Sequence, residues 1–338
     1  MDGELRELDG PDGPRQVRLT HPERVIWPDA GVTKGELADY VEAVAEPMLR
    51  AIGDRPVSLE RVRGSIQDET FFSKNPPKGT PEWVRASEVT YPSGRSHPQL
   101  VLDEPASLVW AVQMNTVVFH PWPSRAAASD LPDQLRIDLD PQPGTDFGDA
   151  VDVARALQTL LVELGFDPFV KTSGGRGLHV FAPLAPEHEF LDVRHGVIAL
   201  CRRLEARMPD RVTTAWWKEE RGERIFLDYN QANRDRTMAG AYSPRARPGA
   251  PVSCPVAWDE LEGLDPSAFS VRTVPARLRE RGDAWEGFAA ARPGVLAPLL
   301  EAWEADLSAG LGELPFPPDF PKMPGEPPRV QPSRRKAE

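Results

Sequence analysis

Apolar residues are spaced loosely over the first third of the chain and sharply through its middle. Near the start, Glu4–Leu8 and Gln16–Leu19 flank the turn-rich Asp9–Arg15, which predicts a β-hairpin. From Thr33 to about Arg50, Leu37, Tyr40, Val41, Val44, Ala45 and Met48 recur at the spacing of one helix face. Thr33 is its candidate N-cap, and Glu36, three residues on, completes a capping box. Residues 51–135 mix short strands with proline-rich turns, and Val109–His120 reads as a buried segment ending at the breaker Pro121-Trp122-Pro123.

From Leu135 the pattern alternates: strand Leu135–Asp140, helix Phe147–Leu164, strand Pro168–Thr172, a glycine loop, strand His179–Pro183, helix Val193–Met208 and strand Arg224–Asp228. That order predicts an α+β fold, a mixed sheet with helices packed on it. Beyond Pro244 the chain is extended and turn-rich, with helical spacing at Ala276–Arg281 and Val295–Ala309. After Glu313 it becomes proline-rich and ends on Arg334-Arg335-Lys336, a composition that predicts disorder. No internal repeat is present.

Composition narrows the function classes. No apolar run approaches the roughly 20 residues that span a bilayer. The acidic Met1–Gly13 lacks the regions of a signal peptide, so a cytoplasmic location is expected and no membrane partner. Cys201 and Cys254 are too few for a disulfide framework or a cysteine-rich zinc site and are expected as free thiols. A net charge of −12 excludes general affinity for nucleic acid, so any such contact must be local. Residues 211–247 are the cationic stretch, with eight Lys/Arg against five Asp/Glu.

Two motifs carry chemistry. Asp138 and Asp140 lie two apart on a predicted strand and therefore share a face, while Ile137 and Leu139 share the other. Two carboxylates so close repel unless one is protonated or a hard divalent cation lies between them. A solvent-facing strand end is the alternative. Asp228 closes the apolar strand Ile225-Phe226-Leu227 and offers a third acid, enough for two Mg²⁺ or Mn²⁺ ions. Between two strands runs Lys171-Thr172-Ser173-Gly174-Gly175-Arg176-Gly177-Leu178-His179. Its glycines let backbone N–H groups close on an anion such as a triphosphate, with Ser173, Arg176 and His179 at hand. A tight hairpin whose glycines only permit positive φ is the other reading. It is not a P-loop, because the Gly-Lys-Ser/Thr ending and following helix are missing.

Together, the Asp-x-Asp at 138–140, the Ser-Gly-Gly-Arg-Gly-Leu-His at 173–179 and the strand-end Asp228 resemble the three motifs of the archaeo-eukaryotic primase superfamily. The likeness is specifically to the polymerase domain of bacterial DNA ligase D, over roughly residues 16–305. It implies a primase/polymerase-like core with an RNA-recognition-like sheet and an N-terminal module packed against it. The implied organisation is a single domain over 1–310, with an N-terminal module 1–130, a catalytic core 131–310 and a tail 311–338. Asp138, Asp140 and Asp228 would hold two Mn²⁺ or Mg²⁺ ions. Ser173, Arg176 and His179 would contact the incoming NTP or dNTP, His120 in Phe119-His120-Pro121-Trp122 its triphosphate or sugar, and Arg245 its triphosphate. Phe71 and Phe72, which by residue type alone read as core, would stack on the template base, with Lys74 beside them. Arg24 and Lys34 would bind the 5′-phosphate at a gap or end, the alternative for Lys34 being an exposed first helical turn.

There are departures. Glu60 stands where the family often has lysine, with Arg61 next to it as a possible substitute cation, and Arg24 replaces a lysine. No Lys-x-Asp-Gly ligase motif occurs, so a stand-alone polymerase is expected, with a ligase and a Ku-type end-binding protein in trans. The expected activity is DNA-directed nucleotide addition to a primer 3′-OH at gaps or broken ends in DNA repair, near the bacterial nucleoid. A metal-dependent nuclease or phosphatase, or a non-catalytic DNA-end-binding module, are the rival classes.

Overall fold

The computed structural model describes residues 3–91, 94–234 and 236–316; the basic end Arg334-Arg335-Lys336 lies outside them. The sharply patterned middle forms a βαββαβ unit: β10 (Gln134–Pro141), α4 (Phe147–Glu163), β11 (Phe169–Thr172), β12 (Leu178–Pro183), α5 (Phe190–Arg207) and β14 (Ile225–Asp228). With β13 (Val212–Thr213) and β15 (Pro255–Val256) these strands make a six-stranded sheet, ordered β13-β14-β10-β12-β11-β15. Only β13 and β14 are parallel, so the sheet is mixed as expected.

Period-two alternation sorts this sheet into two faces. Ile137, Leu139, Val180, Leu227 and Ile225 fall on one face and are buried, with α4 and α5 packed on the sheet. The other face carries Arg136, Asp138, Asp140, Lys171, His179 and Asp228. α4 starts where Asp146 accepts the Asp149 N–H in a capping box, and the chain leaves it through Gly165 at φ 81°. α5 begins at Phe190, earlier than the predicted Val193, because the Phe190 ring is buried edge-on against Trp122.

Upstream, the predicted hairpin is present as β1 (Gly3–Leu8) and β2 (Arg15–Thr20), followed by the short β3 (Val25–Trp27) and β4 (Val32–Thr33). The expected Thr33–Arg50 helix is two helices, α1 (Lys34–Ala43) and α2 (Ala45–Ile52). Pro47 explains the break: it has no N–H for the Ala43 carbonyl and its ring crowds that oxygen. The Thr33 cap and its Glu36 capping box are both formed.

The weakly patterned region folds into a second sheet of β5 (Pro56–Val62), β6 (Thr70–Ser73), β7 (Arg85–Thr90), β8 (Ser96–Val101) and β9 (Thr116–Pro121). The buried segment Val109–His120 is the end of α3 (Pro105–Gln113) and all but the last residue of β9, joined at Asn115 with φ 62°. One continuous apolar core contains Leu59 and Phe119 of the second sheet and Ile137 and Val180 of the first. Polar links join the sheets too. Arg55 is fully buried with two guanidinium nitrogens on Asp133, at 2.5 and 2.7 Å, and Arg136 donates to the carbonyls of Pro121 and Trp122 at 2.8 Å each. The remaining helices are α6 (Lys218–Arg221), α7 (Val274–Arg281) and α8 (Ala297–Ser308), the last lying on α5. Among the described residues no helix is long and apolar enough to cross a membrane, and Cys201 and Cys254 are buried free thiols.

Candidate active site

Strand register builds the site. Asp138 on β10 lies directly opposite Asp228 on β14 and, on its other side, opposite His179 on β12, which in turn lies opposite Lys171 on β11. Residues paired this way in adjacent strands share a face. Lys171, His179, Asp138 and Asp228 therefore form one row across four strands, with Asp140 one step along β10. His179 Nε2 is 3.5 Å from Asp138 Oδ1.

This row is electrostatically strained toward binding a cation. Burial, reinforced by the charges of Asp228 and Asp140, pushes Asp138 up to about 7, against the pull of Arg245 and Lys171. Burial also raises Asp228, although Gln231 Nε2 and the Asn230 N–H donate to its carboxylate at 2.8 and 3.0 Å. Gln142 Nε2 donates to Asp140 Oδ2 at 3.1 Å. Among the described residues no group of three or more His, Cys, Asp and Glu is already set as a metal-ligand shell. The donor chemistry nevertheless fits hard divalent ions: three carboxylates on one face, with Asp138 and Asp228 destabilised as anions and Asp140 and Asp228 holding amide donors an ion would displace.

The glycine loop closes beside the row. Ser173 N donates to Gly177 O at 3.0 Å, and Gly177 N returns to Ser173 Oγ at 3.2 Å. A side chain at Gly177 would overlap the Leu139 carbonyl, and Gly174 adopts φ 68° with Arg245 packed on it, so both positions require glycine. The loop is thus a tight hairpin, and it also places cations at the row: Arg245 donates to Ser173 O at 2.5 Å and Arg176 to Pro141 O at 3.0 Å. The segment carrying Arg245 is braced from the N-terminal region by Trp27 Nε1 on the Arg245 carbonyl, 3.1 Å, and Tyr40 Oη on that of Tyr242, 2.7 Å.

His120 comes in from β9, 8% exposed, with Nε2 3.1 Å from Glu60 Oε2 on β5. Burial lowers its pKa against the opposing pull of Glu60, and the charges of Arg245 and Lys171 lower it further. Glu60 is held ionised below its usual range: burial opposes this, but the His120 hydrogen bond and the charges of His120 and Arg245 outweigh it. Glu60 is therefore a carboxylate that shares the Arg245 cation with the carboxylate row. Arg61 does not compensate for it. Its guanidinium is committed to Met114 O at 2.6 Å, Ser73 Oγ at 3.0 Å and the Phe71 ring at 5.1 Å.

At the more distant positions the structure divides the expectations. Phe71 and Phe72 are 38% and 54% exposed on β6, which overturns the core reading of that pair, and Phe72 sits 5.3 Å from His120. Lys74 lies over the Tyr91 ring at 5.0 Å. Arg24 is half-buried near Lys34. Lys34, expected beside Arg24 on a 5′-phosphate, is not in the exposed helix turn of the alternative reading: it is 2% exposed, and its Nζ donates inward to Thr20 O, Gln113 O and Gln113 Oε1 at 3.1, 2.9 and 2.9 Å. Those acceptors use all its hydrogens, while burial and the nearby Arg24 pull it down to about 8.

Three residues escaped the sequence reading: Lys171, Gln231 and Arg221, whose guanidinium lies 3.4 Å over the Phe226 ring within the field of Asp140 and Asp228. For Lys171 the signal was no more than a lysine near the end of the strand that enters the glycine loop. For the other two there was none.

A βαββαβ sheet with an acidic row beside a glycine hairpin is the framework of a primase-polymerase. A family model described as "LigD, primase-polymerase domain" matches residues 33–285, and the chain belongs to that family. It is 36% identical over 288 residues to the multifunctional non-homologous end joining protein LigD of Pseudomonas aeruginosa, covering 84% of this chain and 34% of that protein. Against the LigD of Mycolicibacterium smegmatis it is 32% identical over 316 residues, covering 91% and 40%. It thus spans well under half the length of these curated relatives. The solved polymerase domain of Mycobacterium tuberculosis ligase D, in complex with DNA, superposes with a TM-score of 0.74 at 31% identity, covering 82% of this chain and 99% of that one.

Proposed function

We propose that this chain is a DNA-directed nucleotidyltransferase that adds NTPs or dNTPs to a primer 3′-OH at short gaps or broken ends. The observation that carries it is the in-register pairing of Asp138 with Asp228, with Asp140 on the same face, next to a glycine hairpin flanked by Arg176 and Arg245. A hydrolase needs the acids; the cations at the hairpin suit a triphosphate. The family membership and the printed end-joining names of the relatives support the same reading.

Asp138, Asp140 and Asp228 would hold two Mn²⁺ or Mg²⁺ ions, which supply a lowered pKa for the attacking hydroxyl and charge stabilisation for the leaving pyrophosphate. Arg245 and Arg176 neutralise the triphosphate, Ser173 and His179 orient it, and His120 reaches the sugar or triphosphate from β9. Phe71 and Phe72 are free to stack on a template base, with Lys74 nearby, and stacking reads every base alike. Arg24 takes the 5′-phosphate; Lys34 supports that corner from below. A ligase and a Ku-type end-binding protein would work with it on the same DNA in the cytoplasm.

The test is primer extension on a short-gap duplex, with and without the 5′-phosphate, comparing NTPs with dNTPs in Mn²⁺ and Mg²⁺. Lengthening that depends on metal and template is expected. Primer shortening instead would replace the polymerase with a nuclease.

A further inference from the structure

After α8 the chain turns at Gly310, φ 83°, and runs back along α5. Arg202 Nη2 donates to Gly312 O at 2.5 Å. About two turns nearer the start of α5, Arg194 takes Glu313 Oε1 as its counter-ion, and His195 Nε2 is 2.8 Å from Glu313 Oε2. The buried Arg194 also donates through Nη2 to Leu314 O at 2.8 Å, and its guanidinium lies over the Tyr229 and Phe316 rings at 5.5 and 5.3 Å. Leu314–Phe316 open the stretch whose composition predicts disorder, yet they are docked. The whole segment lies past the residues 33–285 that the family model matches.

The Pro315 carbonyl carries this segment to the acidic row. It accepts from Tyr229 Oη and from Asn230 Nδ2, each at 3.2 Å. Asn230 Oδ1 is taken by Asn233 Nδ2 at 2.9 Å and Arg194 Nε at 3.3 Å, so both ends of that side-chain amide are held. Tyr229 and Asn230 are buried and directly follow Asp228, the last residue of β14, in a 3₁₀ turn over Tyr229–Ala232. The backbone has only two soft dihedrals per residue, so pinning the two residues after Asp228 restricts the chain from which its carboxylate projects. A divalent ion would displace the donors on that carboxylate and leave this bracing in place.

We propose that Glu313–Pro315, clamped by Arg194, is a positioning strap that holds the Tyr229–Asn230 turn and thereby aims the Asp228 carboxylate. A segment that merely covered α5 would need no polar atom directed at that turn. The effect on nucleotide incorporation rests on the polymerase reading; the bracing of the turn does not.

The experiment compares the full chain with two full-length variants by amide hydrogen exchange, without nucleotide or DNA, and by primer extension. Glu313→Lys puts a second positive charge beside Arg194, at a side chain that is half-exposed. Tyr229→Phe deletes only the hydroxyl that reaches Pro315 O. In both, the Asn230 and Asn233 amides should exchange about tenfold faster or more, while amides of the β10–β12 ladder keep their wild-type protection. kcat should fall about tenfold, the scale of one lost hydrogen bond to a charged group, with nucleotide KM and gapped-DNA affinity within about a factor of two. Glu313→Gln, which keeps an oxygen for Arg194, should restore most of the protection and of kcat. Unchanged exchange at Asn230 in both variants overturns the strap, as does faster exchange with wild-type kcat. If Glu313→Lys does not fold, Tyr229→Phe decides. A wild-type chain that incorporates no nucleotide sinks the polymerase reading, and exchange at Asn230 then decides the strap by itself.

Discussion

The two sheets break the ordinary partition of residue types in opposite directions. The six-stranded sheet buries Lys171, His179 and Arg136, while the five-stranded sheet leaves Phe71 and Phe72 in solvent at its edge. Each departure costs something: an ion taken from water needs full pairing, and an exposed ring forgoes about 1.5–3 kcal/mol of burial. The first cost is met inside the molecule, where Arg136 and Lys171 donate to backbone carbonyls and side-chain oxygens. Among the described residues the second is offset only in part, by Arg61 over the Phe71 ring and by His120 beside Phe72. On the proposed function, the buried charge serves the chemistry and the exposed rings serve DNA.

The sharpest way to break this contrast is at the acids. Asp138→Ala should lower nucleotide incorporation about 10³-fold or more, the scale of losing one preorganised electrostatic group, while gapped-DNA affinity stays within about a factor of two. Primer extension and a binding titration on the same preparation measure both, and equal losses in the two would merge the sheets' roles. Next is pH. Folding raises Asp138 from the ordinary value of 3.8 to about 7, so between those values the native state holds a proton that the unfolded chain has released. Metal-free stability should therefore fall as pH rises through this window, by up to roughly 4 kcal/mol at 1.36 kcal/mol per unit. Thermal melts should show Asp138→Asn flattening that fall; an unchanged slope would clear the acidic row of strain.

At the other sheet, Phe71→Ala with Phe72→Ala should weaken gapped-DNA binding by roughly 1–3 kcal/mol and leave the melting temperature nearly unaltered. A large drop in melting temperature would return the rings to a packing role. The smallest effect is expected where the sheets meet. Glu60 faces His120 and the field of Arg245, so Glu60→Gln should lower the nucleotide KM a few-fold, equivalent to about 1 kcal/mol, without touching DNA affinity. A higher KM would make Glu60 a contributor to the pocket.

Local periodicity made the βαββαβ unit legible, because its helices are long and its strands alternate. The same alternation put Asp138 and Asp140 on one face, and the apolar strand that Asp228 closes offered the third acid, which the family resemblance then tied to the pair. What periodicity omits is register. Lys171 pairs with His179 only through the β11–β12 ladder, so its place in the row was not visible from spacing. Lys34 misled for a related reason. A lysine in a first helical turn ordinarily faces water, but Gln113, from far along the chain, folds over it with both its amide oxygen and its carbonyl. The exposure of Phe71 and Phe72 depended on β6 being a sheet edge. Pro47, by contrast, was a legible helix breaker that the reading of one helix to about Arg50 passed over.

Trp27 stands three positions after Arg24, and its indole holds the Arg245 carbonyl. That strut joins the corner assigned to a broken strand's terminus with the segment whose guanidinium is assigned to the incoming nucleotide. On the proposed function, a shift of β3 would bear on the Arg245 backbone through this bond, linking the seat of one reactant to that of the other.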